Sequence, residues 1–243
     1  MIKQIKKLLV KNDYNILNID LHSHLIPGID DGSKSMQESI ELIVEFQKLG
    51  YTRLITTPHI MSHRYKNNSK IILDGLEILK KELSKQKIDI QIEAAAEYYV
   101  DNHFIELLNN NDLLSFGDNY ILFELSYSQQ PLHLEQIIFD IQEAGYRPVL
   151  AHPERYLYFC KDFSKYERLK ELGLFFQLNI NSLSTYYSKV VQKTAYKLID
   201  KGMINFLGSD VHHKKHMQNL INVRKTSHYK NLFSNNSILN NSL

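Results

Sequence analysis

The chain has 243 residues, 43% of them hydrophobic and 23% charged, with a formal net charge of +2. This length and apolar share suit one α/β domain with a full core. So small a charge gives no electrostatic grounds for nucleic acid or an anionic membrane as a partner. Cys160 is the only cysteine, which excludes an intrachain disulfide and fits a reducing compartment.

Residues 1–10, MIKQIKKLLV, interleave lysines at 3, 6 and 7 with Ile2, Ile5, Leu8 and Leu9. The pattern predicts a short basic amphipathic helix within an N-terminal extension over residues 1–15. It lacks the apolar core and small-residue cleavage site of a secretory signal, and no stretch reaches the roughly 20 apolar residues of a membrane helix. From residue 16 onward, β-branched and aromatic runs alternate with helical periodicities. Residues 16–21 predict a strand, and 35–49 a helix with Met36, Ile40, Ile43, Val44 and Leu49 on one face, ended by Gly50. A second strand is expected at 53–57, a helix at 69–86, and a third strand at 88–96, where Ile88, Ile90 and Ile92 alternate with polar residues. Further strands follow at 120–125, 148–151, 174–178 and 204–207, separated by helices at 132–144, 163–172 and 185–201. Seven strands alternating with helices predict a mostly parallel sheet, open or closed, in one domain over residues 16–230. The stretch from 231 to 243, enriched in Asn and Ser, is expected to fray as a flexible tail.

Metal-ligating side chains recur where the apolar runs stop. His22 and His24 end the first, separated by one residue, so that a continuing strand would turn both to one face; Asp20 before them could orient an imidazole from behind. Asp30 and Asp31 lie in a turn-rich loop, where either could be a turn former or an oxygen ligand. His59 follows Pro58, which restricts its backbone. Glu93 and Glu97 compete at the third strand, with Glu97 nearer its end beside Ala94, Ala95 and Ala96. Glu124 sits between Phe123 and Leu125, and so buried a carboxylate needs either a basic partner or a cation. His152 ends the fifth strand with Arg155 three residues on, a planar fork suited to phosphate oxygens. Asp210 and His212 repeat the alternate spacing at the last strand. His63 and His103 lack a strand-end setting and read as surface residues. Each position alone has an ordinary explanation. Nine at the same edge of a parallel sheet indicate a polynuclear metal centre, because the carboxyl ends of the strands are where α/β folds build their sites.

The runs DLHSHLIPGIDDG at 20–32, TTPHI at 56–60, AAEYY at 95–99, LFELS at 122–126, AHPERY at 151–156 and GSDVH at 208–212 resemble those of the PHP superfamily, named for polymerase and histidinol phosphatase domains. More narrowly, the chain is similar to the manganese-dependent protein-tyrosine phosphatases of bacterial capsule and exopolysaccharide synthesis, over roughly residues 16 to 220. The resemblance implies a distorted (βα)7 barrel holding two or three divalent cations, manganese by family and iron, cobalt or zinc by ligand chemistry. It assigns His22, His24 and Asp210 to one ion, bridged by Glu97 to a second that Glu124 and His152 complete, with Asp31, His59 and His212 on the third. Arg155 would bind phosphate. The family's second arginine, just after the last metal histidine, is absent, and Lys214 or Lys215 would supply its charge.

By the same resemblance the activity is metal-assisted hydrolysis of a phosphate monoester, with Arg155, Asp210 and His212 as the catalytic residues and a metal-site His or Asp assisting the leaving oxygen. The implied substrate is a phosphotyrosine protein, the tyrosine-rich tail of a bacterial tyrosine autokinase. A thiol route is excluded, since a Cys-x5-Arg phosphate loop from Cys160 would need arginine at Tyr166. Histidinol phosphate is the competing substrate, and a metal-stabilised binding module the non-enzymatic alternative.

Overall fold

A computed structural model describes residues 17–243. The expected amphipathic helix at residues 1–10 and the start of the first strand at residue 16 lie outside that range. All strand pairings are parallel. The strands form two sheets. The first contains β1 (Ile19–Leu21), β2 (Arg53–Thr56) and β4 (Gln91–Ala94), and the second β3 (His59–Ile60), β5 (Glu97–Tyr99), β6 (Tyr120–Glu124), β7 (Arg147–Ala151), β8 (Phe175–Asn179) and β9 (Phe206–Gly208). The seven expected strands are present within the described residues, and two short strands not anticipated, β3 and β5, follow the second and third of them. β2 hands over to β3 across Thr57-Pro58, where proline has no N–H to give the ladder. β4 hands over to β5 across Ala95-Ala96. The break stays in register, because Ala95 N donates to Thr56 O and Glu97 N to Pro58 O.

The two sheets curl into a distorted barrel that closes between β9 and β1. Ser23 bridges Val211 in parallel, Asp210 N donates to His22 O and His24 N to Val211 O. Asp20 fastens the same seam, accepting from the backbone N–H and hydroxyl of Ser209 at 3.0 and 2.9 Å. It therefore holds the barrel shut and does not orient an imidazole as expected. Gly208 permits the closure: a Cβ there would lie 2.2 Å from Leu21 O and 2.8 Å from His22 Cβ.

Alternation along each strand separates two cores. Ile19, Leu21, Ile55, Tyr120, Leu122, Val149, Ala151 and Phe206 fill the barrel interior, while Leu54, Ile121, Phe123, Leu150, Leu178 and Leu207 face the helices. The five expected helices appear as α1 (Met36–Lys48), α2 (Ser69–Lys85), α4 (Leu134–Glu143), α6 (Ser164–Glu171) and α7 (Lys189–Asp200). Four others were not anticipated: α3 (Asn102–Asn109), the single turn α5 (Leu157–Cys160), α8 (Lys214–Val223) and α9 (Ser227–Asn235). The basic start of α8 obscures its buried stripe of Met217, Leu220 and Val223. Among the described residues no helix is long and apolar enough to cross a membrane.

The C-terminal stretch does not fray. Asn240 is fully buried; its carboxamide accepts from Leu207 N at 2.8 Å and donates to Leu207 O at 2.7 Å and Ile19 O at 3.1 Å. Leu239 and Leu243 pack beneath the inner core at the amino end of the barrel, and Arg53 donates to Leu243 O at 2.6 Å. Composition suggested disorder, but asparagine here supplies backbone-like donors and acceptors to two strands at once. Asn240→Ala would strand those buried groups, each worth about 1–3 kcal/mol, so urea unfolding should show a loss of about 2 kcal/mol or more. A loss below about 0.5 kcal/mol would mean that the segment lies outside the cooperative fold.

Candidate metal centre

The interior columns of the barrel turn polar at its carboxyl end. Leu122 is followed two residues on by Glu124, Ala95 by Glu97, and Phe175 by Gln177 and Asn179. His22, His152 and Asp210 leave their strands with positive φ, at 92°, 35° and 50°, a conformation that costs non-glycine residues about 1–3 kcal/mol. This turn, and not simple strand alternation, aims His22 beside His24, with ring centroids 5.4 Å apart.

All nine candidate ligands fall in overlapping groups, the ligand atoms of each within 4.8 Å of one another; seven of them line one cleft, and His22 and His24 are fully buried behind it. His22, His24 and Asp210 form one group, and His24, Asp31, His59 and His212 another; His22, Glu97 and His152 form a third, and His59, Glu97 and Glu124 a fourth. Glu97 is the shared member of the last two. Its Oε2 lies 3.0 Å from His22 Nε2, 3.4 Å from His24 Nε2 and 3.2 Å from His59 Nδ1, and its Oε1 lies 2.9 Å from His152 Nε2. His24 Nε2 and His59 Nδ1 are buried without a hydrogen-bond partner among the described residues. Unpartnered imidazole nitrogens facing carboxylates suit hard-to-borderline divalent cations.

A further set of groups orients the ligands. Asp30 Oδ2 accepts from His24 Nδ1 at 2.7 Å and Gln177 Oε1 from His22 Nδ1 at 2.8 Å, which turns each Nε2 to the centre. His212 Nδ1 meets Asp210 O at 3.0 Å, leaving its Nε2 3.4 Å from Asp31. Asp30 is thus the orienting member of the acidic pair and Asp31 the one that faces the cleft. Gln177 and Asn179 were not anticipated, although two alternate polar residues inside the apolar run 175–179 were a visible signal. Glu93 points away, paired with Arg53 at 2.7 Å.

Arg155 lies on the cleft wall. Its NH1 donates to Asp210 Oδ2 at 2.8 Å, and its guanidinium sits 4.9 Å from the Tyr127 ring and 4.4 Å from the Tyr187 ring. Asn179 Nδ2 donates to the same Asp210 oxygen at 2.7 Å, so Oδ1 is left toward the imidazoles. The expected lysines do not join the site. Lys214 pairs with Glu41 at 2.6 Å on the α1–α8 face, and Lys215 is exposed; the first turn of α8 directs His213 and His216 into the cleft instead. A second guanidinium comes from Arg64, which lines the cleft and stacks on Tyr65 at 4.9 Å, while Tyr65 stacks on His59. His63 is exposed on the rim, and His103 lies 3.5 Å from Glu106 on α3.

The capsular polysaccharide synthesis profile CpsB/CapC matches residues 18–235, and the chain belongs to that family. The tyrosine-protein phosphatase YwqE of Bacillus subtilis is 32% identical over 198 residues, 81% of this chain and 78% of that protein. The tyrosine-protein phosphatase CpsB of Streptococcus agalactiae is 26% identical over 200 residues, 80% of this chain and 82% of that one. Among solved structures, one from work on YwqE of B. subtilis and CpsB of Streptococcus pneumoniae, described as unique metal-dependent tyrosine phosphatases, matches with a TM-score of 0.78. It is 30% identical, and the match covers 90% of this chain and 96% of that one.

The carboxylates at the centre favour the protonated form of His22, His24 and His59, while burial and Arg155 keep His152 toward its neutral form. Burial opposes protonation of His59, but Glu97 and Glu124 outweigh it and lift its pKa from 6.5 to about 9. Burial likewise opposes charge on His24, and Asp30 and Glu97 raise it well above its ordinary range. Burial pushes the Glu97 and Asp210 carboxyls up, yet His22 and its neighbours hold both well below the ordinary range. For His59 the raised folded-state value means that its protonation stabilises the metal-free fold fully below about pH 6.5, an advantage lost as pH rises through about 9. A divalent cation must displace these protons. Titration calorimetry with Mn2+ at pH 7 in buffers of different ionisation enthalpy should therefore show release of at least one proton per chain, falling off above about pH 9. Heats independent of the buffer would contradict the protonated centre.

Proposed function

We propose that the chain is a metal-dependent protein-tyrosine phosphatase acting in bacterial capsular polysaccharide synthesis. The observation that carries this reading is that seven of the nine cluster residues and Arg155 line one cleft of about 390 Å3, a volume at the small-ligand end of ordinary pockets, with His22 and His24 in the same cluster behind it. His22, His24 and Asp210 would hold one cation and Glu97 would link it to a second shared with Glu124 and His152, while Asp31, His59 and His212 would hold a third. Manganese follows from the family resemblance. Such cations supply Lewis acidity toward phosphoryl oxygens and a water of lowered pKa.

The chain's own residues account for the remaining steps. Arg155, anchored through NH1 to Asp210, keeps other N–H donors of its fork for phosphate oxygens. The rings of Tyr127, Tyr187 and Tyr65 wall the cleft around it, a setting suited to an aryl phosphate. Asp210 stays ionised, so it serves as ligand and anchor and not as a proton donor. A tyrosine leaving group, with a pKa near ~10, needs little acid assistance compared with an alkyl alcohol. The phosphotyrosine would belong to a protein, by family resemblance the tail of a tyrosine autokinase, and the reading carries a cytoplasmic location in keeping with the single Cys160.

Two assays test this. Manganese-loaded protein should hydrolyse a phosphotyrosine peptide at least tenfold faster, by kcat/KM, than histidinol phosphate; the reverse order would replace the protein phosphatase with a small-molecule one. Arg155→Ala should lower kcat/KM on the peptide by about tenfold to a hundredfold, the loss of one charge-assisted hydrogen bond of ~1.5–3 kcal/mol. Metal content should be kept, because Asn179 still holds Asp210. Arg155→Lys should recover part of the charge but not the paired geometry. Wild-type kinetics in Arg155→Ala would leave it as an ordinary ion-pair residue.

A further inference from the structure

The cleft is not closed on the Arg155 side. A second groove of about 300 Å3 opens there, lined by Tyr127, Arg155, Leu157, Tyr187, Ser188 and Val191. Tyr127, Arg155 and Tyr187 also line the metal cleft, so one cavity runs into the other across the guanidinium and the two rings that flank it. The groove's outer lip is unusually apolar for open surface. Leu157 is 50% exposed, Tyr127 45% and, beside the groove, Val190 52%. Tyr127 joins the two parts, since the residue is half exposed while its hydroxyl reaches inward to within 3.5 Å of His152 Nε2.

Rigid neighbours hold the groove in place. The single turn α5, which carries Leu157, is fixed from below by Tyr156, whose hydroxyl accepts from Leu125 N at 3.0 Å, and by Tyr158, whose hydroxyl donates to Ser126 O at 2.9 Å. Ser188 caps α7 by accepting from Val191 N at 3.1 Å, and Tyr187 precedes it directly. The groove is thus preformed, and a side chain entering it loses little to reorganisation.

Resting on the phosphatase reading, we propose that this groove is a subsite for an aromatic side chain one or two residues from the phosphotyrosine in the substrate chain. The metal cleft takes the phosphate and Arg155 marks its edge. An extended peptide rises about 3.3 Å per residue, so a neighbouring side chain crosses that edge within one or two positions. The walls select the chemistry. Two tyrosine rings, leucine and valine offer apolar and ring-face contact without a free carboxylate or ammonium. A phosphorylated small molecule has no second side chain to place there.

The test is a steady-state panel with manganese-loaded full-length protein. Phosphotyrosine pentapeptides flanked only by glycine are compared with versions carrying Phe, Leu or Glu at each of the four flanking positions. At one position Phe should lower KM about fivefold at similar kcat, the worth of one added aromatic contact, with Leu intermediate and Glu without gain. Leu157→Asp and Leu157→Ser, both at an exposed position, should abolish that gain while leaving the glycine-flanked peptide within twofold of wild type. Equal KM for all peptides, or a Phe gain that survives both substitutions, would overturn the subsite while the phosphatase reading stands. Failure to hydrolyse any phosphotyrosine peptide would overturn both.

Discussion

One buried carboxylate organises the functional end of this molecule. Glu97 has no exposure and stands among four imidazoles, those of His22, His24, His59 and His152, all within 3.4 Å of its two oxygens. An isolated carboxylate in that position would cost many kcal/mol. It is tolerable only because positive charge stands beside it, as protons on His22, His24 and His59 or as cations in their place, with His152 as a neutral partner. The rest of the centre follows from that need. His22 and His24 must come from β1, His59 from β3 and His152 from the end of β7, so the strands must close into a barrel for their ends to meet at one residue.

Closure and site are therefore one structural problem. The seam between β9 and β1 relies on Gly208, which lets the backbones approach, and on Asp20, which ties Ser209 to β1. The same seam delivers Asp210 opposite His22 and His24. Three of the nine cluster residues pay for their aim with left-handed backbone. Strain and clustered charge at one end are offset by apolar packing along the barrel and by the C-terminal stretch that seals its other end through Asn240. A fold stressed at its functional edge gains stability when ligand binds there.

Much of this was legible in the chain. Parallel topology followed from strands alternating with helices, and the chemistry-bearing residues could be found because all but Asp31, which lies in a turn-rich loop, stand at or near the end of an apolar run. What stayed hidden depended on tertiary contact. No periodicity announces that residues 53–60 and 91–99 each form two strands; the breaks at Thr57-Pro58 and Ala95-Ala96 arise from how the sheets curl. The lysines after His212 carry the expected charge, but the first turn of α8 points His213 and His216 inward and leaves Lys214 to Glu41. Arg64 reaches the cleft from a loop whose course the sequence does not reveal. Composition misjudged the C-terminus because asparagine is as good at satisfying buried backbone as at forming loops. Gln177 was readable in principle, as a polar residue on the inner face of a buried strand.

The dependence on Glu97 can be tested directly by metal content. Wild-type protein and Glu97→Gln, which keeps shape and removes the charge, would be loaded with Mn2+, desalted and measured by plasma emission, with phosphotyrosine hydrolysis assayed on the same samples. A centre hinged on Glu97 requires two or three equivalents in the wild type, at most one in the variant, and loss of hydrolysis with the metal. Retention of the full complement and of activity in Glu97→Gln would show that the imidazoles and remaining carboxylates hold the cations without it.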